Sequence, residues 1–300
     1  MKAITIYLLP VIALFAGVAA YAAGDDESAV RVEPGREFVY KQSGGKPQTL
    51  EVYFPKNWNL SANKVPGVLL FHGGGWTGCT LDQFRYACRY FASRGLVAAT
   101  ANYQMLPKGQ KGKPGESRKR VCVTDAKSAI RWMKQHAGDL GIDPNRIITG
   151  GGSAGGHVSV LATTNPGLND PSDPKEFDTS VVAYLLFNPA FTASDSEDSE
   201  IDVLKHLKAD FAPAIIFFGT NDGWKKGTDA ALEYLKTLGN ATSELWIAEG
   251  QKHSFFNRPP WQDVTLAAAD RFLVERGFLK GNCTLPPSSG GEKLVKSQLQ

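Results

Sequence analysis

Residues 150–157 read GGGSAGGH, with one serine and one alanine among five glycines and a histidine at the end. Glycine costs backbone entropy wherever the chain is ordered, so the segment points to a tight local geometry. It follows an apolar run of strand type, NRIITG, and precedes a helical pattern. A G-x-S-x-G match between a strand and a helix predicts a strained turn that lifts the hydroxyl of Ser153 above the sheet edge.

The same glycine-rich segment has a second interpretation, because phosphate-binding loops also precede helices. Such a loop requires a lysine after the glycines or an acidic partner for a ribose, and neither stands in the expected place. The pattern therefore favours a nucleophilic serine. The N-terminal end of the following helix would favour negative charge that develops beside it.

The rest of the chain alternates between strands and helices. A hairpin, EFVYKQ and TLEVYF, is followed by apolar runs typical of buried parallel strands, which are PGVLLFH, GLVAATANY, NRIITGG, VVAYLLFNP, PAIIFFGTND and ELWIAEGQKH. Helical patterns lie near 82–93, 121–137, 154–164, 227–238 and 262–276. This order predicts an α/β fold with a mostly parallel sheet of about eight strands flanked by helices. The short connection between Phe187 and Pro213 leaves no room for a large lid domain.

A serine hydroxyl needs a base that takes its proton and an acid that orients the base. In this type of fold both follow the serine in chain order, each just beyond the carboxyl end of a strand. Asp222, within GTND, and His253, within GQKH, occupy such positions. The rivals fit less well, since none follows a strand; they are His136, His157 and His206, and Asp125, Asp195, Asp198 and Asp202, the last three in an acidic loop expected to be solvated.

The attack by Ser153 creates an oxyanion that requires preorganised hydrogen-bond donors. The strand GVLLF is followed by His72–Trp76, HGGGW, hereafter the glycine loop. Its three glycines allow backbone N–H groups to turn inward, and the N–H of Ala154 adds a donor from the serine turn.

Together, these segments resemble the α/β-hydrolase superfamily, and within it the hormone-sensitive-lipase-like and related carbohydrate-esterase branch. The matching motifs are HGGGW, ANYQMLP, DAKSAIRWMKQHA, GIDPNRIITGGGSAGGH, GTNDG and KHSFFN, which span about two-thirds of the chain. The resemblance implies that Ser153 is the nucleophile, His253 the base and Asp222 the acid. It implies that Gly73, Gly74 and Ala154 are oxyanion donors, and that neither a metal nor an organic cofactor takes part.

Charge and the N-terminus bear on partners and location. The net charge of +3, from 33 basic and 30 acidic residues, does not indicate a nucleic-acid partner. Residues 1–23 combine Lys2, an apolar run and small residues before GDDES, which predicts a cleaved signal peptide and a secreted or periplasmic protein. The alternative is an uncleaved membrane anchor, because about 20 apolar residues can span a bilayer.

Export would place the four cysteines in an oxidising compartment. In such a compartment the four cysteines could form two disulfides, and the sequence does not distinguish among the three possible pairings of Cys79, Cys88, Cys122 and Cys283. Their spacing does not match that of a zinc site.

These observations predict a catalytic domain over 24–280 and a polar, mobile tail over 281–300. The expected function is a secreted serine carboxylesterase that acts on short acyl esters through an acyl-enzyme, with an acetylated carbohydrate as the family-based substrate. Trp76 and Trp224 are candidates for stacking on substrate, or else core residues. The basic segment 108–120 either meets an anionic polysaccharide or is a solvated loop. The alternatives are a peptidase of prolyl-oligopeptidase type, for which no propeller is evident, and a non-catalytic binding protein, which would usually lack a triad residue.

Overall fold

The computed structural model describes residues 34–60, 64–78, 80–106, 109–110 and 117–297. The predicted signal peptide, 1–23, lies outside these residues, as does part of the basic segment 108–120. Within the described ranges, no helix combines the length and the apolar character needed to cross a bilayer.

The described chain forms one sheet of nine strands, which are β1 (Arg36–Ser43), β2 (Lys46–Tyr53), β3 (Val65–Phe71), β4 (Val97–Ala101), β5 (Ile142–Gly152), β6 (Ala183–Phe187), β7 (Ala214–Gly219), β8 (Glu244–Ala248) and β9 (Leu294–Lys296). The spatial order is β1-β2-β4-β3-β5-β6-β7-β8-β9. The six strands from β4 to β8 in this order are parallel, whereas β1, β2 and β9 join the sheet antiparallel. The carboxyl ends of the parallel strands therefore share one edge, called here the carboxyl edge.

Five longer helices and two single turns connect the strands: α1 (Asp82–Ser93), α2 (Lys119–Gln135), α3 (Ala137–Leu140), α4 (Ala154–Thr164), α5 (Val203–His206), α6 (Lys225–Thr237) and α7 (Trp261–Glu275). The longer helices begin and end within two residues of their predicted bounds. The predicted α/β class, with helices on both faces of a mostly parallel sheet, is confirmed.

Alternation along the buried strands supplies a core on each face of the sheet. In β3, Val68 and Leu70 face the cluster to which α1 and α7 contribute. Leu69 and Phe71 face the cluster built with α2 and α4. Both faces are covered, which explains why the central strands are apolar without interruption.

The C-terminal segment differs from the sequence-based expectation. Residues 281–300 were predicted to form a mobile tail, yet β9 pairs antiparallel with β8, with Leu294 opposite Ala248. Cys283 and Leu285 pack against the core cluster on the α1 and α7 face. The apolar residues in this polar segment cover the otherwise open edge of β8, which accounts for the ninth strand that the sequence did not predict.

The cysteines also differ from the two-disulfide hypothesis. Cys88, Cys122 and Cys283 are free thiols, whereas Cys79 lies outside the described residues. Cys88 belongs to the core on one face of the sheet and Cys122 to the core on the other. The intervening sheet prevents these two buried thiols from pairing.

Candidate active site

The serine turn connects β5 to α4 in the manner predicted from the G-x-S-x-G pattern. Ser153 lies between Gly152 and Ala154 with φ 51° and ψ −117°, a conformation that costs energy for a residue with a side chain. A Cβ atom on Gly155 would lie 2.0 Å from the backbone oxygen of Phe71. Glycine is therefore required at this position because α4 begins against the end of β3.

The structure brings Ser153, His253 and Asp222 together at the carboxyl edge. The Nε2 atom of His253 lies 2.8 Å from the Oγ atom of Ser153, and Nδ1 lies 2.8 Å from Oδ2 of Asp222. Because a carboxylate only accepts hydrogen bonds, Nδ1–H donates to Asp222 and Nε2 is left to accept the serine proton. The geometry matches the requirements of a nucleophile, a base and an acid that orients the base.

Each partner of this triad is held by its own loop. Asp222 follows β7, its side chain is fully buried, and its Oδ1 atom also accepts the backbone N–H of Trp224 at 3.0 Å. His253 follows β8, with its side chain about 30% exposed. The base is thus accessible to a substrate, whereas the acid is shielded from water.

The loop of the base is anchored by Asn188, a residue that the sequence analysis did not identify. Asn188 follows β6 and is fully buried in a left-handed conformation with φ 48°, which asparagine tolerates better than most residues. Its Oδ1 atom accepts the backbone N–H of Ser254 at 3.1 Å. The residue directly after His253 is therefore fixed to the strand beside the serine turn. In the sequence, the pair Asn188–Pro189 after an apolar strand indicates a turn, but it does not reveal which segment the asparagine contacts.

The three predicted oxyanion donors are not equivalent. The backbone N–H of Gly73 donates to Oε1 of Gln83, at 2.7 Å, so this donor is already occupied. Gly74 is exposed with φ 90°, and neither its N–H nor that of Ala154 donates to another described residue. Gly74 and Ala154 remain available to an oxyanion, whereas Gly73 would first have to separate from Gln83.

Gln83 connects the glycine loop to the loop of the base. While its Oε1 atom accepts from Gly73, its Nε2 atom donates to Oδ1 of Asn257 at 3.2 Å. A Cβ atom on Gly152 would lie 3.2 Å from Oε1 of Gln83 and 2.6 Å from the ring of Phe256. Gln83 and Phe256 therefore stand directly beside the serine turn. Gln83 could not be identified from the sequence, because no local pattern relates it to the glycine loop.

Trp76 has a packing role. It is 6% exposed, with the ammonium of Lys119 lying 3.8 Å from its ring centroid and His157 packed edge-on at 5.3 Å. Of the two alternatives left open for Trp76, substrate stacking or core packing, the covered ring supports core packing. Trp224 is half-buried, with its ring centroid 6.2 Å from that of His253. It also lines an apolar cavity of about 470 Å³, which lies between the segment that connects β6 to β7 and the segment that follows β7.

The three aspartates of the acidic loop are buried, which corrects the prediction that they are solvated, although neighbouring residues such as Glu197 are exposed. Asp195, Asp198 and Asp202 are 5, 8 and 7% exposed, and Asp195 and Asp198 pair with Lys119 and Arg120, respectively. This pairing also changes the interpretation of the basic segment 108–120, because its last two cations are neutralised within the fold.

Lys119 and Asp195 enclose a second histidine. The Nε2 atom of His157 lies 3.1 Å from Oδ2 of Asp195 and 3.0 Å from the backbone oxygen of Ile201. Burial lowers the pKa of both the His157 imidazole and the Lys119 ammonium below their usual ranges. His157 has no solvent-exposed surface, so it supports the beginning of α4 and does not act as a base toward substrate.

The remaining rivals are engaged elsewhere. His136 and His206 contact the backbone oxygens of Trp132 and Ser199. Asp125 is buried and forms an ion pair with Lys41 at 2.7 Å. His72, the first residue of the glycine loop, stacks on Tyr103 at 4.6 Å, and burial lowers its pKa to about 4. This imidazole is therefore neutral near pH 7.

A serine turn, an oriented imidazole and free amide donors at the carboxyl edge define one class of protein. The chain belongs to the α/β-hydrolase superfamily, among its serine esterases, which confirms the resemblance at the level of the superfamily and of the esterase class. The BD-FAE family model matches residues 50–191, a region that includes the glycine loop and the serine turn.

Two solved structures and one curated relative illustrate the similarity. Esterase 2 from Thermogutta terrifontis, propionate bound, is 34% identical with a TM-score of 0.76, and the match covers 83% of this chain and 97% of that chain. The same esterase phosphorylated by paraoxon is 35% identical with a TM-score of 0.76, over 84% of this chain and 98% of that chain. The probable carboxylic ester hydrolase LipM from Mycobacterium tuberculosis is 26% identical over 59% of this chain. That match spans 46% of the length of LipM.

Proposed function

We propose that the protein is a serine carboxylesterase that hydrolyses short-chain acyl esters through an acyl-enzyme. The observation that carries this proposal is the hydrogen-bonded series Ser153–His253–Asp222, with 2.8 Å at both contacts. Membership in the serine esterases of the superfamily supports the same reaction class.

The first half of the reaction forms the acyl-enzyme. Nε2 of His253 takes the proton of Ser153 while Oγ attacks the ester carbonyl carbon, and the carbonyl electrons move to the oxygen. The N–H groups of Gly74 and Ala154 stabilise that oxyanion, a contribution of about 2.7–4 kcal/mol per donor in a comparable site. The oxyanion collapses, the bond to the alcohol oxygen breaks, and His253 returns its proton to the departing alcohol.

The second half returns the enzyme to its starting state. His253 takes a proton from water, and the hydroxide attacks the acyl carbon bound to Ser153. A second oxyanion forms and collapses, the bond to Oγ breaks, and Oγ regains the proton from His253. The carboxylic acid leaves, and Asp222 keeps the same imidazole tautomer throughout.

The preference for short acyl groups is supported by the walls of the serine turn. Gln83 and Phe256 both stand within contact distance of Gly152, which closes one side of the nucleophile. The similar Thermogutta terrifontis esterase 2 was solved with propionate bound, and propionate is a short-chain acid.

Hydrolysis of 4-nitrophenyl acetate, butyrate and octanoate tests the proposal. We expect kcat/KM to fall steeply with chain length, and Ser153→Ala to lower kcat by at least about 10⁴-fold. Full activity in Ser153→Ala would refute Ser153 as nucleophile, and a preference for octanoate would refute the short-chain preference. The absence of turnover by the wild-type protein would instead favour a binding role.

A reactive serine also predicts sensitivity to organophosphates, and the similar Thermogutta terrifontis esterase 2 was solved phosphorylated by paraoxon. Intact-protein mass spectrometry after incubation with paraoxon should detect one diethylphosphoryl group on the wild-type protein and none on Ser153→Ala. Modification of the variant at the same rate would contradict the assignment.

We further propose that the alcohol is a carbohydrate and that the protein is exported. The connection from β6 to β7 contains a short 3₁₀ helix, Ala193–Glu197, and the single turn α5, so no large lid covers this part of the site. The N-terminal run up to Ala23 supports export. Acetate release from acetylated xylan would test the first statement. Mass spectrometry of the protein from the culture medium and periplasm would test the second, since a mature chain should begin near residue 23 or 24.

A further inference from the structure

A second open space lies on the other side of the glycine loop from the apolar cavity. It is a groove of about 680 Å³ between the β1–β2 turn, the segment after β4 and the residues that follow the glycine loop. Its polar lining side chains include Lys46, Gln48, Thr77, Thr80, Asn102 and Gln104. Apart from Lys46, the described lining residues carry no charged side chain. The described lining therefore carries one positive charge, at Lys46, and is otherwise rich in amides and hydroxyls.

The amide of Asn102 is held in one orientation by the protein. Its Oδ1 atom accepts the backbone N–H of Thr49 at 2.7 Å, and the Asn102 backbone oxygen accepts the hydroxyl of Tyr40. Because a backbone N–H can only donate, the oxygen of this amide must point to Thr49. The Nδ2 group makes no hydrogen bond to another described residue and remains a donor for the groove.

The side-chain amides of Gln104 and Gln48 each form one hydrogen bond within the protein, through one of their two polar atoms. Oε1 of Gln104 accepts the hydroxyl of Ser43 at 2.6 Å, which leaves Nε2 without a partner among the described residues. Nε2 of Gln48 donates to the backbone oxygen of Ser43 at 3.2 Å, which leaves Oε1 as an acceptor. The protein thus fixes two amide donors and one amide acceptor at the groove.

The position of the groove relates it to the nucleophile. Ser153 follows β5, the glycine loop follows β3, and Asn102 follows β4, all at the carboxyl edge. Neighbouring strands are about 4.8 Å apart, so the end of β4 lies roughly 10 Å from the end of β5. The glycine loop follows β3, which lies between β4 and β5, and the N–H of Thr77 just after that loop donates to the Gly74 oxygen. A substrate extending from Ser153 across the glycine loop would enter the groove.

We propose that this groove binds the alcohol part of the ester as a neutral, polyhydroxylated chain of sugar units. A sugar hydroxyl both donates and accepts hydrogen bonds, which matches an array of fixed amide donors and acceptors. A fatty alcohol would leave these amides unpaired, whereas a sugar satisfies them. The inference rests on the proposed esterase function for the bound ester, but binding of the sugar itself does not require catalysis.

Binding is tested first, with the Ser153→Ala variant and xylohexaose, a neutral chain without ester groups, by isothermal titration calorimetry. We expect measurable binding, weakened about tenfold by the double change Gln48→Leu and Gln104→Leu, because two hydrogen bonds are lost. Gln135→Leu is the matched control, since this exposed glutamine ends α2 at the opposite edge of the sheet. No binding, or equal binding by all variants, would overturn the proposal.

Kinetics then separate this proposal from the esterase function. In the double variant we expect kcat/KM for acetylated xylo-oligosaccharides to fall about tenfold, and for 4-nitrophenyl acetate to stay within about twofold. Equal losses on both substrates would mean that the amides support the fold, which would overturn the proposal. Single variants and thermal unfolding identify any such structural loss. If the wild-type protein hydrolyses neither ester, the esterase function fails while the calorimetric test of the groove still stands.

Discussion

The backbone N–H of Gly73 donates to Oε1 of Gln83 at 2.7 Å, directly beside the nucleophile. The same side chain donates to Asn257 in the loop that follows the base. Gln83 therefore connects the two segments whose relative position determines where the oxyanion donors lie. In this arrangement the N–H of Gly73 holds the glycine loop in place, and the N–H groups of Gly74 and Ala154 remain available to the substrate.

Replacement of Gln83 by leucine tests that assignment. We expect kcat for 4-nitrophenyl acetate to fall about tenfold while KM changes little, because the lost interaction positions donors that act in the transition state. Gln135→Leu serves as the control for a Gln-to-Leu change. An increase in kcat would mean the reverse, that Gln83 competes with the substrate for the N–H of Gly73.

The serine turn gives a second prediction. Gly155→Ala should lower the free energy of unfolding by at least about 3 kcal/mol and reduce kcat, because its methyl group would overlap the backbone oxygen of Phe71. Gly138→Ala is the matched control, since a methyl group there meets open space in α3. Urea unfolding and esterase assays check both variants. Equal stability of the two variants would contradict the close approach of α4 to β3.

The ion pair beneath Trp76 gives a third prediction. Lys119→Met should lower the free energy of unfolding by about 3–5 kcal/mol, because it leaves the carboxylate of Asp195 buried beside neutral His157. The double variant Lys119→Met with Asp195→Asn should recover part of that loss, since the uncompensated charge is gone. A double-mutant cycle by urea unfolding measures the coupling. Strictly additive effects would show that the pair contributes little.

The buried imidazole of His72 predicts a pH dependence of stability. Its pKa is about 4 in the folded chain and 6.5 when exposed, so the folded state binds fewer protons between these values. The contribution of this imidazole to the free energy of unfolding is complete above pH 6.5. It falls as the pH drops toward 4, by about 3 kcal/mol in total. Replacement by asparagine should flatten this part of the profile. Identical pH slopes for His72→Asn and the wild type would contradict the assignment.

Much of the fold was predictable because its signals are local. The apolar runs of the parallel strands and the three- and four-residue periodicity of α2 define elements without any knowledge of tertiary contacts. The position of Ser153 was equally evident, because a strand, glycines and a helix follow one another directly. Asp222 and His253 could be selected because each follows a strand.

Contacts between distant segments were not predictable in the same way. Nothing in the acidic loop indicates that Asp195 meets Lys119, 76 residues earlier, so the sequence predicts a solvated surface where the fold contains a buried ion pair. The glycine loop indicated several donors, but only the fold reveals that Gln83 occupies one of them. Likewise, the three residues of β9 acquire strand structure through the open edge of β8 rather than through their own sequence.

The terminal strand β9 has a practical consequence for handling the protein. β8 ends just before the loop that carries His253, and without β9 its outer row of amide and carbonyl groups would be unpaired. A chain shortened to end at Leu279 would present that row to neighbouring molecules and invite sheet-to-sheet association. Expression tags and immobilisation linkers therefore belong at the N-terminal end of the domain, where they leave the pairing of β8 with β9 intact.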